Sequence, residues 1–332
     1  MVATQEMRRP AVVALQTLVI AACYYGAGRL GLMRRLSVEG AVFTPIWPPT
    51  GVAVAALLLV GLWAWLGIAL GALLVVLSLS SFASLQPSAT GIVAGNTVAP
   101  VCAYLLLAAV HFRTDLSRFR DGLALVFLAA LGAMTISASA DVGLLVATDK
   151  IALADFWPVW LAWWVGDAMG VLIVTPVILM LYAVRAPLSL SRWKEAVLIL
   201  GAAAVLVPVA TRSSISMMFL VYPLLIWAAL RFELPGSLVC ALFASVMATV
   251  AATDGVGPFQ RLTHTEVMIK LQAFNGTMAL TALLLSAVIT EQRNTRRSVE
   301  LACQELVEVL EHLTAGNPTP RPPPPAEEEG YG

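Results

Sequence analysis

A near-continuous succession of apolar segments constrains this chain more than any other feature of its sequence. A helix needs about 20 mainly apolar residues to cross the hydrocarbon core of a bilayer. About ten segments of this kind can be read, at residues 11–30, 48–62, 65–81, 88–110, 122–147, 156–182, 194–211, 215–230, 235–252 and 267–290. Only 12% of the residues are charged, against roughly 25% in soluble domains. The sequence therefore predicts a polytopic protein in the lipid bilayer and excludes a soluble monomer, a disordered chain and a nucleic-acid binder.

The apolar segments are continuous and rich in alanine and leucine, which favours helices over strands. We predict an all-α transmembrane helix bundle of about 8–10 spans with short loops. The second and third segments are short and share a tight turn at Trp63-Ala64-Trp65. They are therefore either two full spans or a re-entrant pair, and the sequence leaves both possibilities open.

The distribution of basic residues predicts the orientation of the spans, because cytoplasmic loops carry an excess of Lys and Arg. With the N-terminus inside, twelve basic residues face the cytoplasm: Arg8, Arg9, Arg113, Arg118, Arg120, Arg185, Arg192, Lys194, Arg231, Arg293, Arg296 and Arg297. Seven face the opposite side: Arg29, Arg34, Arg35, Lys150, Arg212, Arg261 and Lys270. We therefore predict a multi-pass protein of the bacterial plasma (inner) membrane with both termini in the cytoplasm.

The composition becomes polar after the last apolar segment. In residues 291–313 the apolar positions follow one another at alternating steps of three and four, which is the seam spacing of a coiled coil. They are Val299, Ala302, Leu306, Val309 and Leu313. Two heptads are too short to dimerise alone, so an exposed amphipathic helix end is the alternative. We divide the chain into a cytoplasmic N-terminus (1–10), a membrane domain (11–290), a cytoplasmic helix (291–313) and a disordered tail rich in Pro and Glu (314–332).

Polar residues inside the apolar segments are the first candidates for a functional site, because they are costly in a membrane. Asp167 lies near the middle of its segment, and Asp141, Asn96, Asn275 and Lys270 lie at the middle or in the outer half. Together they can line a polar pocket that opens to the periplasmic side. The alternative is a structural network in which Asp167 pairs with Asn96, Ser137 or Lys270 and fixes the helix register.

The residues around the two aspartates do not favour catalysis. Intramembrane aspartyl proteases carry Tyr-Asp and Gly-x-Gly-Asp motifs, but Ala140 precedes Asp141 and Trp164 stands in place of the first glycine. The four cysteines and three histidines form no cluster with metal-ligand spacing. We expect no catalytic residue, no metal site and no cofactor.

Several short motifs follow one another in an order that resembles the MASE1 family, the membrane-associated sensor domain of bacterial signalling proteins. The resemblance covers about residues 11–298. The motifs are Trp47-Pro48-Pro49-Thr50-Gly51, Gly95-Asn96-Thr97, Trp163-Trp164-Val165-Gly166-Asp167 followed by Gly170 and Pro176, Tyr222-Pro223, Trp227-Ala228-Ala229-Leu230-Arg231-Phe232, Gly255-Val256-Gly257-Pro258-Phe259 and Glu291-Gln292-Arg293.

The resemblance implies an integral-membrane sensory module of the kind that is usually fused to a histidine kinase, a diguanylate cyclase or PAS domains. No such output domain follows the last span, so we expect a stand-alone module that signals through a second copy or a separate histidine kinase or diguanylate cyclase protein. Motif residues Trp47, Trp163 and Trp164 join the polar residues as candidates for sensing. Glu233 stands where the family more often has glycine, which speaks against a tight turn there.

A transporter or channel is the alternative function. The intramembrane residues Asp167 and Asn96 and the discontinuous second span would then form its coupling site. A transporter moves its substrate across the membrane, whereas a receptor only binds its ligand, so a flux measurement distinguishes the two functions.

Overall fold

The computed structural model describes residues 2–34, 36–38, 41–79, 87–183, 192–215 and 217–315. The described residues are mostly helical, which confirms the predicted all-α bundle. The helices are α1 (Val2–Leu32), α2 (Pro48–Val60), α3 (Trp65–Leu79), α4 (Pro87–Ala109), α5 (Phe119–Ala124), α6 (Met134–Ala147), α7 (Phe156–Met169), α8 (Thr175–Ala183), α9 (Trp193–Arg212), α10 (Val221–Thr253) and α11 (His264–Ala315). Short 3-10 helices at Leu62–Ala64, Leu153–Asp155, Met218–Leu220 and Gly257–Phe259 connect several of them.

One short hairpin interrupts the helical pattern. Strands β1 (Leu36–Val38) and β2 (Ala41–Phe43) pair antiparallel between α1 and α2. The hairpin lies in the connection between two apolar segments. The apolar segments themselves are helical, so the fold class stays all-α.

Two helical spans contain π-helical stretches. Residues Leu125–Ala133 join α5 to α6, and residues Gly170–Val174 join α7 to α8. A π-helical turn widens the helix and is frequent at functional sites. The second stretch begins three residues after Asp167.

By length and hydropathy, eight helical stretches among the described residues are able to cross a membrane. They are Ala11–Leu32, Leu62–Leu79, Ala89–Ala109, Phe119–Ala147, Leu153–Ala183, Trp193–Arg212, Met218–Thr253 and His264–His312. The apolar helix α2 is shorter, and its 13 residues extend for about 20 Å, less than the roughly 30 Å of a hydrocarbon core.

Helix α10 reverses direction at Glu233, whose backbone angles are φ 53° and ψ −137°. A Cβ atom added to Gly236 would lie 2.6 Å from the carbonyl oxygen of Ala228. In a straight helix residues eight apart are separated by about 12 Å, so the chain folds back here. The expectation drawn from Glu233 is therefore wrong, because the tight turn forms with glutamate in place of glycine. The reversal gives the two separate segments that the hydropathy pattern predicts, 215–230 and 235–252.

Contacts between helix ends agree with segments that alternate in direction. Arg34 pairs with Asp254 at 2.7 Å, and Arg231 pairs with Glu195 at 3.2 Å. The alternating arrangement places both members of each pair on one side of the membrane. The contacts do not identify that side, so the cytoplasmic location of the termini stays a prediction.

The chain divides into two units, Met1–Thr290 and Glu291–Gly332. In the first unit, buried apolar side chains form one cluster on α1, α2 and α3, a second centred on α4 to α8, and a third on α9, α10 and α11. Outward-facing apolar side chains such as Leu15 and Val205 are more than 60% exposed, as expected for a surface in contact with lipid.

In the second unit, the described part of α11 exposes its predicted seam. Val299, Leu306 and Val309 are each more than half exposed, and Ala302 is exposed as well. The side chain of Leu313 and the tail beyond Ala315 lie outside the described residues. The coiled-coil interpretation of these positions stays a prediction.

Candidate functional site

Asp167 lies at the centre of a buried hydrogen-bond network. It is carried by α7 and is 1% exposed. Thr50 on α2 donates its hydroxyl to Asp167 Oδ1 at 2.7 Å, and Ser137 on α6 donates to Oδ2 at 2.5 Å. The carboxyl group therefore connects three helices through both of its oxygens.

Asp141 lies one helical turn beyond Ser137 on α6 and is fully buried. Its Oδ2 accepts a hydrogen bond from Asn96 Nδ2 on α4 at 2.9 Å, whereas no described residue bonds to Oδ1. Tyr24 on α1 donates its hydroxyl to Asn96 Oδ1 at 3.4 Å. We call the set Tyr24, Thr50, Asn96, Ser137, Asp141 and Asp167 the carboxylate cluster.

The carboxylate cluster holds two acidic groups and no basic one. Asp141 and Asp167 are near enough to interact electrostatically, and in the described part of the chain neither forms an ion pair. Like charges in a buried, apolar setting disfavour each other strongly. Such a pair of carboxyl groups is suited to hold a proton or a small cation.

Close backbone packing positions Asp167. A Cβ atom added to Gly170 would collide with the carbonyl oxygen of Trp47, and one added to Gly51 would collide with the carbonyl oxygen of Gly170. The Trp47 amide donates to the carbonyl of Gly166 at 2.9 Å, and the Thr175 hydroxyl donates to the carbonyl of Gly51 at 3.1 Å. The start of α2 is thus fixed against the helix that carries Asp167.

The predicted tryptophans take different positions. The side chain of Trp163 lies close enough to the Asp141 carboxyl group to interact with it. Trp164 instead donates its indole N–H to the carbonyl of Leu131 at 2.9 Å and stacks on Trp160, with ring centroids 5.5 Å apart. Trp47 contributes through its backbone, as described above, and its side chain lies close enough to the Tyr24 hydroxyl to interact with it.

Lys270 and Asn275 have no hydrogen bond to the carboxylate cluster. Lys270 Nζ donates to the carbonyl of Pro258 at 2.7 Å and lies 5.9 Å from the ring centroid of Phe259. The buried side-chain amide of Asn275 has no partner among the described residues. Of the three partners proposed for Asp167, Ser137 forms the bond, whereas Asn96 bonds to Asp141 and Lys270 to a carbonyl.

Tyr24 and Thr50 were not among the predicted site residues. Thr50 lies inside the Trp47–Gly51 motif, and this position was the feature of the sequence that could have identified it as a site residue. Tyr24 stands in an apolar run with no motif around it, and its role follows only from the packing of α1 against α2 and α3, from which its hydroxyl reaches Asn96 on α4. Within the described residues, no three His, Cys, Asp or Glu side chains are grouped so as to hold a metal ion.

The apolar helices and the buried acidic network between them are those of a multi-pass membrane protein with a polar core. The MASE1 family matches residues 16–293, which include the whole carboxylate cluster and most of the chain. The chain belongs to the MASE1 family, a family of membrane sensory domains. Searches of curated proteins and of solved structures find no match.

Proposed function

We propose that the chain is a membrane sensor in which the carboxylate cluster responds to the signal and α11 passes the response to a signalling partner. Membership of a sensory family supports the general role. The observation that carries the proposal is the burial of Asp141 and Asp167 together, without a basic partner among the described residues. No catalytic step is part of this function.

The cluster is built so that a local change affects many helices. Its hydrogen bonds connect α1 to α4, α4 to α6, and α2 and α6 to α7. Taking up or releasing a proton or a cation at either carboxyl group changes which of these bonds can form. Because packed helices shift between discrete arrangements, such a change is able to bias the whole domain.

The output is proposed to run through the seam of α11. Val299, Ala302, Leu306 and Val309 expose apolar surface at coiled-coil spacing. Burial of this surface against a second helix stabilises docking by about 25 cal/mol per Å², before the cost of association is subtracted. A second copy of the chain or a separate histidine kinase or diguanylate cyclase protein is the proposed partner.

Substitution of Asp167 separates sensing from a purely structural role. Asp167→Asn keeps the shape and one acceptor oxygen but removes the titratable group. Asp167→Ala also leaves the Thr50 hydroxyl without its acceptor, at a cost of about 1–3 kcal/mol, whereas Ser137 can still donate to the carbonyl of Met134. We expect Asp167→Asn to abolish the partner's phosphorylation or cyclic-di-GMP response at normal membrane abundance. A wild-type response from Asp167→Asn, together with low abundance of Asp167→Ala, would show that the cluster is structural.

A second set of variants tests the output. Leu306→Asp is expected to disrupt docking of the helix, and truncation after Ala315 is expected to preserve it. Oxidative crosslinking through the exposed Cys303 in native membranes reports the docked state. If wild-type Cys303 crosslinks to neither a second copy of the chain nor another protein, the proposed signalling through α11 is refuted.

A transporter is the second candidate function, favoured by the short helix α2 that lies against the π-helical stretch Gly170–Val174 close to Asp167. Interrupted helices at mid-membrane are typical of coupling sites in transporters. The distinguishing measurement is uptake into proteoliposomes. Proton or cation flux that depends on Asp167 would favour transport, and binding without flux would favour the sensor.

A further inference from the structure

A second group of buried polar side chains lies outside the carboxylate cluster. Ser245 and Thr249 on α10 and Gln272 and Asn275 on α11 are each less than 9% exposed. The Ser245 and Thr249 hydroxyls, Gln272 Oε1 and both amide atoms of Asn275 have no hydrogen-bond partner among the described residues. Buried polar groups of native proteins are nearly always paired, with ordered water where protein groups are lacking.

The register of the two helices brings these side chains to one level. Thr290 bonds to Glu233 at 3.2 Å, and Ser237 bonds to Ser286 at 2.6 Å, so this part of α10 runs antiparallel to α11. From the Ser237–Ser286 bond, Thr249 lies about 18 Å along α10 and Asn275 about 16 Å along α11, in the same direction.

The other two side chains share the same faces. Ser245 precedes Thr249 by four residues and Gln272 precedes Asn275 by three, which are the spacings of side chains one turn apart on a helix. The four side chains therefore lie at the same level of the domain, two on α10 and two on α11.

The two α10 hydroxyls differ from other threonine hydroxyls of this chain. Thr211, Thr253, Thr277 and Thr281 each donate to the carbonyl four residues earlier, the usual solution inside an apolar helix. Ser245 and Thr249 make no such bond. Their hydroxyls are thus left available to a partner other than their own helix.

The hydrogen-bonding groups of the four side chains are suited to a small uncharged ligand. The Gln272 amide is oriented by its bond from Nε2 to the carbonyl of Pro45 at 2.8 Å, which leaves Oε1 as an acceptor. Asn275 offers the two N–H donors of its amide nitrogen and its oxygen as an acceptor, and each hydroxyl is able to donate or accept. None of the four side chains is charged. The set matches a small uncharged molecule that both donates and accepts hydrogen bonds.

We propose that Ser245, Thr249, Gln272 and Asn275 form a hydrated site inside the membrane domain, in which internal water bridges α10 and α11. In the described part of the chain, no hydrogen bond of Gln272 or of the carboxylate cluster connects this site to the cluster. Water-mediated bonds exchange partners easily, so the site lets α10 and α11 shift against each other without leaving polar groups unpaired.

X-ray radiolysis of the full chain in lipid nanodiscs tests the proposal, with water itself as the probe. Hydroxyl radicals formed from bound water oxidise neighbouring side chains, and methionine sulfur is a reactive target. Met268 lies one turn before Gln272, and Met169 Cε lies beside Gly276; both methionines are less than 5% exposed. We expect both to be oxidised several-fold faster in the wild-type protein than in Ser245→Ala or Asn275→Leu.

Two controls keep the result interpretable. The fully buried Met134, which is outside the proposed site, serves as an internal reference whose oxidation rate is expected not to change. Ser245→Ala removes one hydroxyl with almost no change in volume, so it remains informative if Asn275→Leu does not fold. Equal oxidation rates of Met268 and Met169 in the wild-type protein and in Ser245→Ala would overturn the proposal.

Discussion

The close backbone contact between Gly170 and Trp47 makes a prediction about stability that can be worked out in detail. In Gly170→Ala the new methyl group would collide with the Trp47 carbonyl oxygen and lie 3.6 Å from the Gly51 amide nitrogen. Both neighbours are backbone atoms, so no side-chain rotation relieves the collision. The start of α2 has to move away from the helix that carries Asp167.

The expected cost follows from two terms. Overpacking of a tightly packed interior costs about 1–3 kcal/mol, and loss of the Trp47–Gly166 backbone hydrogen bond adds about 0.5–1.5 kcal/mol. We therefore expect Gly170→Ala to lower the free energy of unfolding by about 2–4 kcal/mol. The matched control is Gly143→Ala in α6, where an added Cβ atom meets nothing within 4 Å and alanine stabilises the helix by about 0.5–1 kcal/mol.

Unfolding of both variants by SDS in bicelles, followed by tryptophan fluorescence, measures the difference. We expect the unfolding midpoint of Gly170→Ala to fall well below that of the wild-type protein and that of Gly143→Ala to equal or exceed it. Identical midpoints for the two variants would refute the argument that backbone contact fixes α2 beside Asp167.

Two further predictions concern the turn at Glu233 and the orientation of the spans. A positive φ costs a non-glycine residue about 1–3 kcal/mol, so Glu233→Gly is expected to raise the unfolding midpoint, whereas Glu233→Ala, which keeps the strain and loses the carboxylate, is expected to lower it. The reverse order would show that the backbone at Glu233 is unstrained. Reporter fusions after Ala183 and Arg293 are expected to be cytoplasmic and fusions after Lys150 and Gly257 periplasmic. A periplasmic signal from the Arg293 fusion would contradict the predicted topology.

The bundle itself was predictable, because segment length and hydropathy determine which parts of a chain can cross a bilayer. The reversal at Glu233 was visible as a break between two apolar segments, even though glutamate is an unfavourable residue for the turn. The π-helical stretches were not visible, because they leave the apolar pattern of the sequence unchanged.

The candidate site was predictable in part. Burial inside an apolar segment identified Asp141, Asp167 and Asn96 as unusual without knowledge of their partners. Their pairing depends on how α4, α6 and α7 pack, which the sequence does not specify. For the same reason Lys270, which has the right charge to pair with Asp167, bonds instead to a nearby carbonyl in the turn before α11.

If the buried carboxyl groups control α11 beyond the membrane domain, a change at Asp167 has to alter crosslinking through Cys303. The experiment compares crosslink yield in native membranes for the wild-type chain, Asp167→Asn and the control Asp115→Asn, in a background with Cys23, Cys102 and Cys240 replaced. Asp115 is solvent-exposed and pairs with Arg113. We expect a changed yield for Asp167→Asn at unchanged abundance and a wild-type yield for Asp115→Asn. A wild-type yield for Asp167→Asn would contradict this control of α11.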